Sequence, residues 1–410
     1  MNAFLADERR ELIERLSRLC RDRFASRAEI YDRTATFPTE DFDDLFRAEL
    51  HAPLVPVSSG GLGLDIKNDL FTLWMMTKEI AKVDMSFARC WEGHINSQAL
   101  LAGLGNERQK SRWFEGIVTR GEKWAAWSGE PQSCIPGQTA PVGTTVRVVR
   151  GGYVVDGRKM FATSSTGARW AILLTNLHGP GGARHATAPA DGLLILICDL
   201  LDPSVTSEEG SWDPIGMRGT VSRVVRFNKT FLPDDHLLGV PGQYVRDHWQ
   251  TRFSPHYCAS FLGGAQAAYE YALQYVRTSG KSNDPYVQHR VAVMGLNVES
   301  AHLWLRHVAD LWRGGQQSEA ISAGSRVRYL VERWATDTLE YAIRACGARS
   351  LLRPSSLERI YRDLSFYVRH DNADHVLATI GRELLGEPHD GSFFLMQPTS
   401  RLTDSTSHND

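Results

Sequence analysis

The sequence predicts a mostly helical α+β protein in which a helical segment, a β segment and a C-terminal helical bundle follow one another along 410 residues. Three observations predict it. Apolar residues recur at helical spacing from Ala6 to about Gly121, the pattern shortens to strands between turns from Lys123 to about Gly239, and helical periodicity returns after Pro241 in four long stretches.

The N-terminal helical domain is placed at residues 1–122. DDLFRAEL and NDLFTLWMMTKEIAKV carry its period, and the Pro/Gly-rich APLVPVSSGGLGLD interrupts it. The middle β domain, a barrel or sandwich, is placed at 123–240, with strands read in TTVRVVR, GGYVVDGRKMF, ARWAILLTNL, GLLILICDL and VSRVVRF. Its insert HGPGGARHATAPADG has neither period nor bulk and reads as an exposed loop. The third domain, 241–386, holds long helices joined by short connections, which predicts an antiparallel four-helix bundle. The polar tail at 387–410 is Ser/Thr-rich toward its end and is expected to be partly disordered.

With 42% hydrophobic residues the chain can bury a substantial core. Lys and Arg total 46 against 48 Asp and Glu, so no charge excess draws in nucleic acid or an anionic membrane, and a small-molecule partner is expected. Six scattered cysteines form no CxxC pair and no zinc-type spacing; free thiols in a reducing compartment are expected. The charged N-terminal stretch lacks the apolar centre of a signal peptide, and no run approaches the ~18 apolar residues of a spanning helix. A cytoplasmic protein is expected.

Three segments carry a family resemblance. WAAWSGEP followed by GGYVVDGRKMFATSSTGARWAILLT, then SWDPIGMRGTVSRVVRFNKTFLPDDHLLG, then CGARSLLRPSSLERIYRDL resemble, in order and separation, the flavin-facing β domain, the Gly-Met-Arg-Gly-Thr strand and the Arg-Asp helix of the acyl-CoA dehydrogenase superfamily. The resemblance implies that family's three-domain fold, a bound FAD, and a homodimer or homotetramer that completes the flavin site across subunits. Reduced flavin carries negative charge, so donors near N5 and the pyrimidine oxygens have a chemical reason to be there. The resemblance places Thr163 beside N5, with Phe161 against the ring in place of the usual Trp. It also places Trp127, Ser128 and Gly129 on the strand beside the pyrimidine, with Ser164 following Thr163. Taken alone, Thr163 reads equally as a strand hydroxyl bonded to its own backbone. Arg277 matches the arginine that forks onto the flavin pyrophosphate, although an Arg at a helix end is commonly a solvated charge. Gly347 opens the Gly-rich turn, and Arg344 stands where the family usually has Gln.

Dehydrogenation of an acyl thioester needs a carboxylate base. The family takes a Glu from one of two places, which correspond here to Asp371 and Thr251, so neither carries Glu. Asp is one methylene shorter, and an ångström of misplacement at a reacting centre costs on the order of a hundredfold in rate. The His370-Asp371 pair instead resembles the flavin-dependent monooxygenase branch, whose members activate molecular oxygen on reduced flavin. That branch tends to place a His on the N-terminal helix facing the flavin, where this chain has His94. His94 has a packed-core alternative, and Asp371 reads also as the N-cap of a helix starting near Ala373. Arg252 aligns with the arginine beside the acyl-CoA, while Trp249 replaces the family's neighbouring Asp. Trp91, Trp127 and Trp249 near the inferred cavity point to a cyclic or aromatic substrate.

Three activities follow from this set. The favoured one is a mono- or dioxygenase or oxidase acting on a cyclic or aromatic substrate, either free or as a CoA thioester, with FAD resident or with reduced FMN or FAD arriving from a partner reductase. The second is a conventional acyl-CoA dehydrogenase with Asp371 as base and an electron-transfer flavoprotein as acceptor. The third is a non-catalytic family member.

Overall fold

The computed structural model describes residues 7–64, 69–130, 144–177 and 192–387. Residues 178–191 of the expected loop, residues 388–410 of the expected tail and Cys134 lie outside them.

Helices α1 (Asp7–Leu19), α2 (Ala25–Thr34), α3 (Thr39–Arg47), α4 (Leu70–Val83), α5 (Met85–Leu104) and α6 (Glu107–Arg120) come first. Three of them, α4, α5 and α6, start where a side chain satisfies free backbone N–H groups. Asp69 caps α4, Asp84 caps α5, and Asn106 with Gln109 forms a capping box on α6. Gln109 also donates to the carbonyls of Asp235 (2.8 Å) and Leu237 (2.7 Å), tying α6 to the following domain.

Strands β1 (Trp124–Trp127), β2 (Thr145–Val149), β3 (Gly152–Ala162), β4 (Trp170–Leu177), β5 (Leu193–Asp199), β6 (Val205–Ser207), β7 (Arg223–Pro233) and β8 (Leu237–Leu238) form one sheet in the order β6-β7-β3-β2-β4-β5-β8. β1 lies parallel to β4, pairing Trp124 with Trp170. The β3–β7 ladder breaks register between Lys159 and Ala162, and Phe161 inside that break has φ +53°. A bulge of this kind re-aims side chains, and here it turns Phe161 outward.

α7 (Gln243–Arg246) leads into α8 (Trp249–Thr278), α9 (Pro285–Arg313), α10 (Gln317–Cys346), α11 (Ser356–Tyr367) and α12 (Ala373–Leu384). One core joins the N-terminal helices to the bundle, a second lies between α5, α6 and the sheet, and a third lies within the β domain. The mostly helical α+β class and the three-part order agree with the sequence. The cysteines of the described residues, Cys20, Cys90, Cys198, Cys258 and Cys346, are free and buried. Among the described residues no helix is long and apolar enough to cross a membrane.

Candidate active site

A cleft opens where α5, the sheet, α8 and the α11–α12 turn converge. α5 contributes Arg89, Asn96 and Leu100, spaced seven and four apart and therefore on one helical face. α8 contributes Gln250, Phe253 and Tyr257 by the same logic. Trp127 and Ser128 enter from the end of β1, Ile172, Leu174 and Ile195 from β4 and β5, and His370 and Asp371 from the turn after α11. The walls are largely apolar with a few convergent polar groups, the usual make-up of a small-molecule site. The space between the walls is about 100 Å³.

Asp371 is not a free carboxylate. Arg328, whose side chain is fully buried, donates through Nε to both Asp371 oxygens (2.7 and 3.0 Å) and through Nη2 to Oδ1. Tyr257 Oη donates to Oδ2 (2.6 Å), and Arg328 Nη1 also holds Glu332 (2.5 Å). Burial works to raise the Asp371 carboxyl, but the charge and hydrogen bonds of Arg328 outweigh it and hold the group below its ordinary value. A carboxylate stabilised in this way is a weak base. Asn372, not Asp371, caps α12, accepting from the N–H groups of Asp374 (3.1 Å) and His375 (3.2 Å).

The His370 ring lies between Tyr257 (centroids 5.0 Å apart) and Tyr367 (5.7 Å), and its nitrogens make no hydrogen bond among the described residues. It is exposed to solvent at the cleft. The neighbouring protein atoms, helped by Arg89, push the imidazole below its ordinary value against the pull of Asp371, so the ring is neutral at pH 7. Arg89 reaches Glu92 over a long 3.4 Å bond, while buried Glu92 also accepts from Ser260 and from Tyr367 Oη (2.5 Å).

The β-domain side is a built wall. Trp127 Nε1 donates to the Thr163 carbonyl (2.8 Å), and Gly129 accepts from Met160 N–H (3.0 Å). A Cβ on Gly129 would stand 2.7 Å from the Met160 oxygen, so only glycine fits. The buried Lys159–Glu130 pair (2.5 Å) secures the chain just beyond. Thr163 begins a hydroxyl chain to Ser222 (2.9 Å) and Thr220 (2.7 Å), ending on the Met217 carbonyl (2.8 Å). Thr220 gives its one proton to a carbonyl, so Ser222 must donate to Thr220 and Thr163 to Ser222. Thr163 therefore offers a ligand lone pairs and no proton. Phe161 is 52% exposed and meets Trp212 edge-on at 6.0 Å, and the buried Ser164 hydroxyl, on a residue with φ +68°, has no hydrogen-bond partner.

Two family models match the chain, "Acyl-CoA dehydrogenase, N-terminal domain" over residues 6–121 and "Acyl-CoA dehydrogenase, C-terminal domain" over residues 253–368. The chain belongs to the acyl-CoA dehydrogenase family. Among relatives, Bacillus subtilis YdbM, named as an acyl-CoA dehydrogenase, is 26% identical over 87% of this chain and 92% of its own length. The dibenzothiophene monooxygenase of Mycolicibacterium goodii is 23% identical over 87% and 89%. Among solved structures, TdsC of Paenibacillus sp. A11-2, crystallised with FMN and indole, superposes with a TM-score of 0.81 at 22% identity over 92% of this chain and 98% of its own.

Within this family fold the chain brings together His370, Asp371, Trp127 and Ser128 at the cleft, with Gly129, Phe161, Thr163 and Ser164 on the adjoining wall. Other expected residues lie elsewhere. His94 is fully buried, its Nδ1 accepting from Trp124 N–H (3.2 Å) and its Nε2 donating to the His51 carbonyl (2.8 Å). Burial pushes its pKa down to about 3. The expectation that His94 faces the flavin is thus corrected: its nitrogens are spent joining α5 to β1 and to His51, and Arg89, Asn96 and Leu100 are the α5 side chains at the cleft. Trp91 is buried and donates to Thr77 Oγ1 (3.1 Å), and Trp249 packs beneath α5 against Gly103. Arg252 points between Trp249 (5.0 Å) and Trp312 (5.3 Å), on a face of α8 that does not line the cleft.

Arg277, Arg344 and Gly347 gather at the far end of the bundle. Arg277 is exposed at the last turn of α8, Arg344 pairs with Glu340 (2.7 Å), and Gly347 takes φ +78° after α10. Along α8, Arg277 is about 36 Å from Phe253, by the helical rise of about 1.5 Å per residue. One chain cannot bring both ends to one small ligand. The sequence reading missed Arg328, Tyr257, Arg89 and Asn96; the i, i+3, i+7 spacing of Gln250, Phe253 and Tyr257 marks a face, but nothing local marks Arg328 as the partner of Asp371.

Proposed function

We propose that this protein is a flavin-dependent oxygenase acting on a small cyclic or aromatic substrate, with molecular oxygen as co-substrate. The single observation that carries this over dehydrogenation is the capture of Asp371 by buried Arg328, which occupies the carboxylate where an α-proton base would have to stand. The activity named for the dibenzothiophene monooxygenase relatives supports the same direction.

The wall residues fit a flavin. Half-exposed Phe161 and its neighbour Trp212 offer an aromatic face, and Thr163 keeps hydroxyl lone pairs for N–H donors. The reduced flavin supplies the two electrons with which oxygen is divided between product and water. Phe161, Thr163, Ser164, Trp127, Ser128 and Gly129 would hold the ring. Neutral His370, with both ring nitrogens free, gives and takes the proton at the substrate. Asp371 holds the Tyr257 hydroxyl and fixes the turn that carries His370. The apolar wall of Ile172, Leu174, Ile195 and Phe253 keeps water from the reacting atoms. FMN, which lacks the adenosine half, is the flavin that the β-domain wall can hold without a second copy; FAD needs a second copy of the chain to bring Arg277, Arg344 and Gly347 to its phosphates and adenosine, as a homodimer or homotetramer would. A flavin reductase is then the partner that supplies electrons.

The test is turnover with chemically reduced FMN or FAD and ¹⁸O-labelled oxygen over small aromatic compounds. Label in the product is expected. Bleaching of oxidised bound flavin by an acyl-CoA without oxygen, with Asp371→Asn abolishing it, would establish the dehydrogenase instead.

A further inference from the structure

The polar groups of the cleft are unequally divided between donors and acceptors. Asp371 is the one carboxylate on its walls among the described residues, and Arg328 and Tyr257 occupy it. Arg89 is the one cation on those walls, and it is poorly matched. Of its five N–H donors a single one has a side-chain acceptor, Glu92, at 3.4 Å, and Glu92 already accepts from Ser260 and Tyr367. The Arg89 side chain is 17% exposed, and its remaining surroundings are the Tyr367 ring at 6.0 Å and the cleft itself. Asn96 turns its Oδ1 to His256 Nδ1 (3.0 Å), leaving its NH₂ group without an acceptor among the described residues. A charge held in an apolar pocket with its donors unfilled rewards a ligand oxyanion more than water-exposed arginine does.

We propose that the cleft's ligand is a small organic anion, a single apolar ring bearing a carboxylate, sulfinate or similar oxyanion that sits on Arg89. This rests on the cleft being the reaction chamber of the oxygenase. The space between the walls, about 100 Å³, is below the about 150 Å³ of a closed cavity that takes benzene, so it limits the ligand to a single ring whose remainder lies in the open mouth of the cleft. The ring lies against Trp127, Ile172 and Phe253, the oxyanion reaches Arg89 and the Asn96 amide, and His370 faces the ring.

Calorimetric titration with benzoate and its neutral isostere benzamide, on the full chain with and without FMN, tests it. Benzoate binds at least about tenfold more tightly in both states, the usual worth of a charge-assisted hydrogen bond. Arg89→Met removes that preference and leaves benzamide affinity in place, and Arg89→Lys, which keeps the charge without the fork, retains part of it. Should Arg89→Met fail to fold, the Arg89→Lys loss and the weakening of benzoate by salt decide the matter. Equal affinity for the two probes, binding of neither at millimolar concentration, or a preference untouched by the substitutions overturns the proposal. So does expulsion of benzoate by FMN together with weakened FMN binding in Arg89→Met, which would give the guanidinium to the flavin. Because these readouts are binding alone, a benzoate preference without oxygen incorporation refutes the oxygenase reading and leaves this one standing.

Discussion

Replacing Arg328 by Met separates the two roles open to Asp371. The guanidinium sits between Asp371 and Glu332, and all three side chains are at most 10% exposed. Two unit charges about 4 Å apart attract by about 4 kcal/mol at an effective dielectric constant near 20, and stripping one partner from a buried pair typically costs about 3–5 kcal/mol. Arg369 is too distant (3.8 Å) and too exposed to replace Arg328 at Glu332. Protonation of the orphaned carboxylates caps the loss, so Arg328→Met should destabilise by about 3–5 kcal/mol. Asp371→Asn is milder, because Arg328 keeps Glu332 and the amide still accepts one bond; about 1–2 kcal/mol is expected. The double variant has one orphan fewer than Arg328→Met, so its cost should fall short of the sum by about 2 kcal/mol. Urea unfolding of the four proteins at pH 7 measures the cycle. Additivity within about 0.5 kcal/mol would show that the pair is not coupled and that Asp371 is free to act as a base.

Three other outcomes follow from the same geometry. His370→Ala should leave flavin binding intact and lower product formation by roughly 10²–10⁴-fold, the range of a lost general acid or base; unchanged turnover would remove His370 from the chemistry. Ser222→Ala frees the Thr163 proton to donate to oxidised N5, where the wild type can only accept from the reduced ring, so the flavin midpoint potential should fall by about 20 mV, one hydrogen bond on a two-electron couple; spectroelectrochemistry showing a rise or no change contradicts the proton order. The folded-state pKa of Asp371 lies below its unfolded value, so its stabilisation is fully present above about pH 4 and is lost as pH falls through the depressed value. The stability gap between wild type and Asp371→Asn should therefore be widest near neutrality and close in acid, as read by urea midpoints across pH.

The fold was legible because its signals are local. Helical period, strand alternation and capping residues such as Asp84 and Asn106 each act over a few positions, and they agree with one another along the chain. The grouping of the β-domain wall was legible for a related reason: Trp127, Gly129, Phe161 and Thr163 lie on short stretches of one sheet whose register fixes their neighbours. The cleft's charges were not. Arg328 meets Asp371 across 43 residues, and Tyr257 meets it across 114, so spacing alone contains no trace of either contact. His94 shows the converse failure. It sits on the expected helix, but α5 turns about 100° per residue, so the five steps from Arg89 to His94 are enough to point one side chain into the cleft and the other into the core.

The shortened acid and its arginine explain each other. A Glu at position 371 would extend one methylene beyond the distance at which Arg328 now grips both oxygens, and with an immobile backbone it would have to fold back or leave the pair. Asp reaches the guanidinium and the Tyr257 hydroxyl together, and in doing so gives up its basicity. What remains facing the cleft is a neutral imidazole and a cation with unfilled donors, an arrangement suited to orienting an anion and moving one proton. It is poorly suited to tearing an α-hydrogen from a thioester, which requires the unpaired carboxylate that Arg328 has taken.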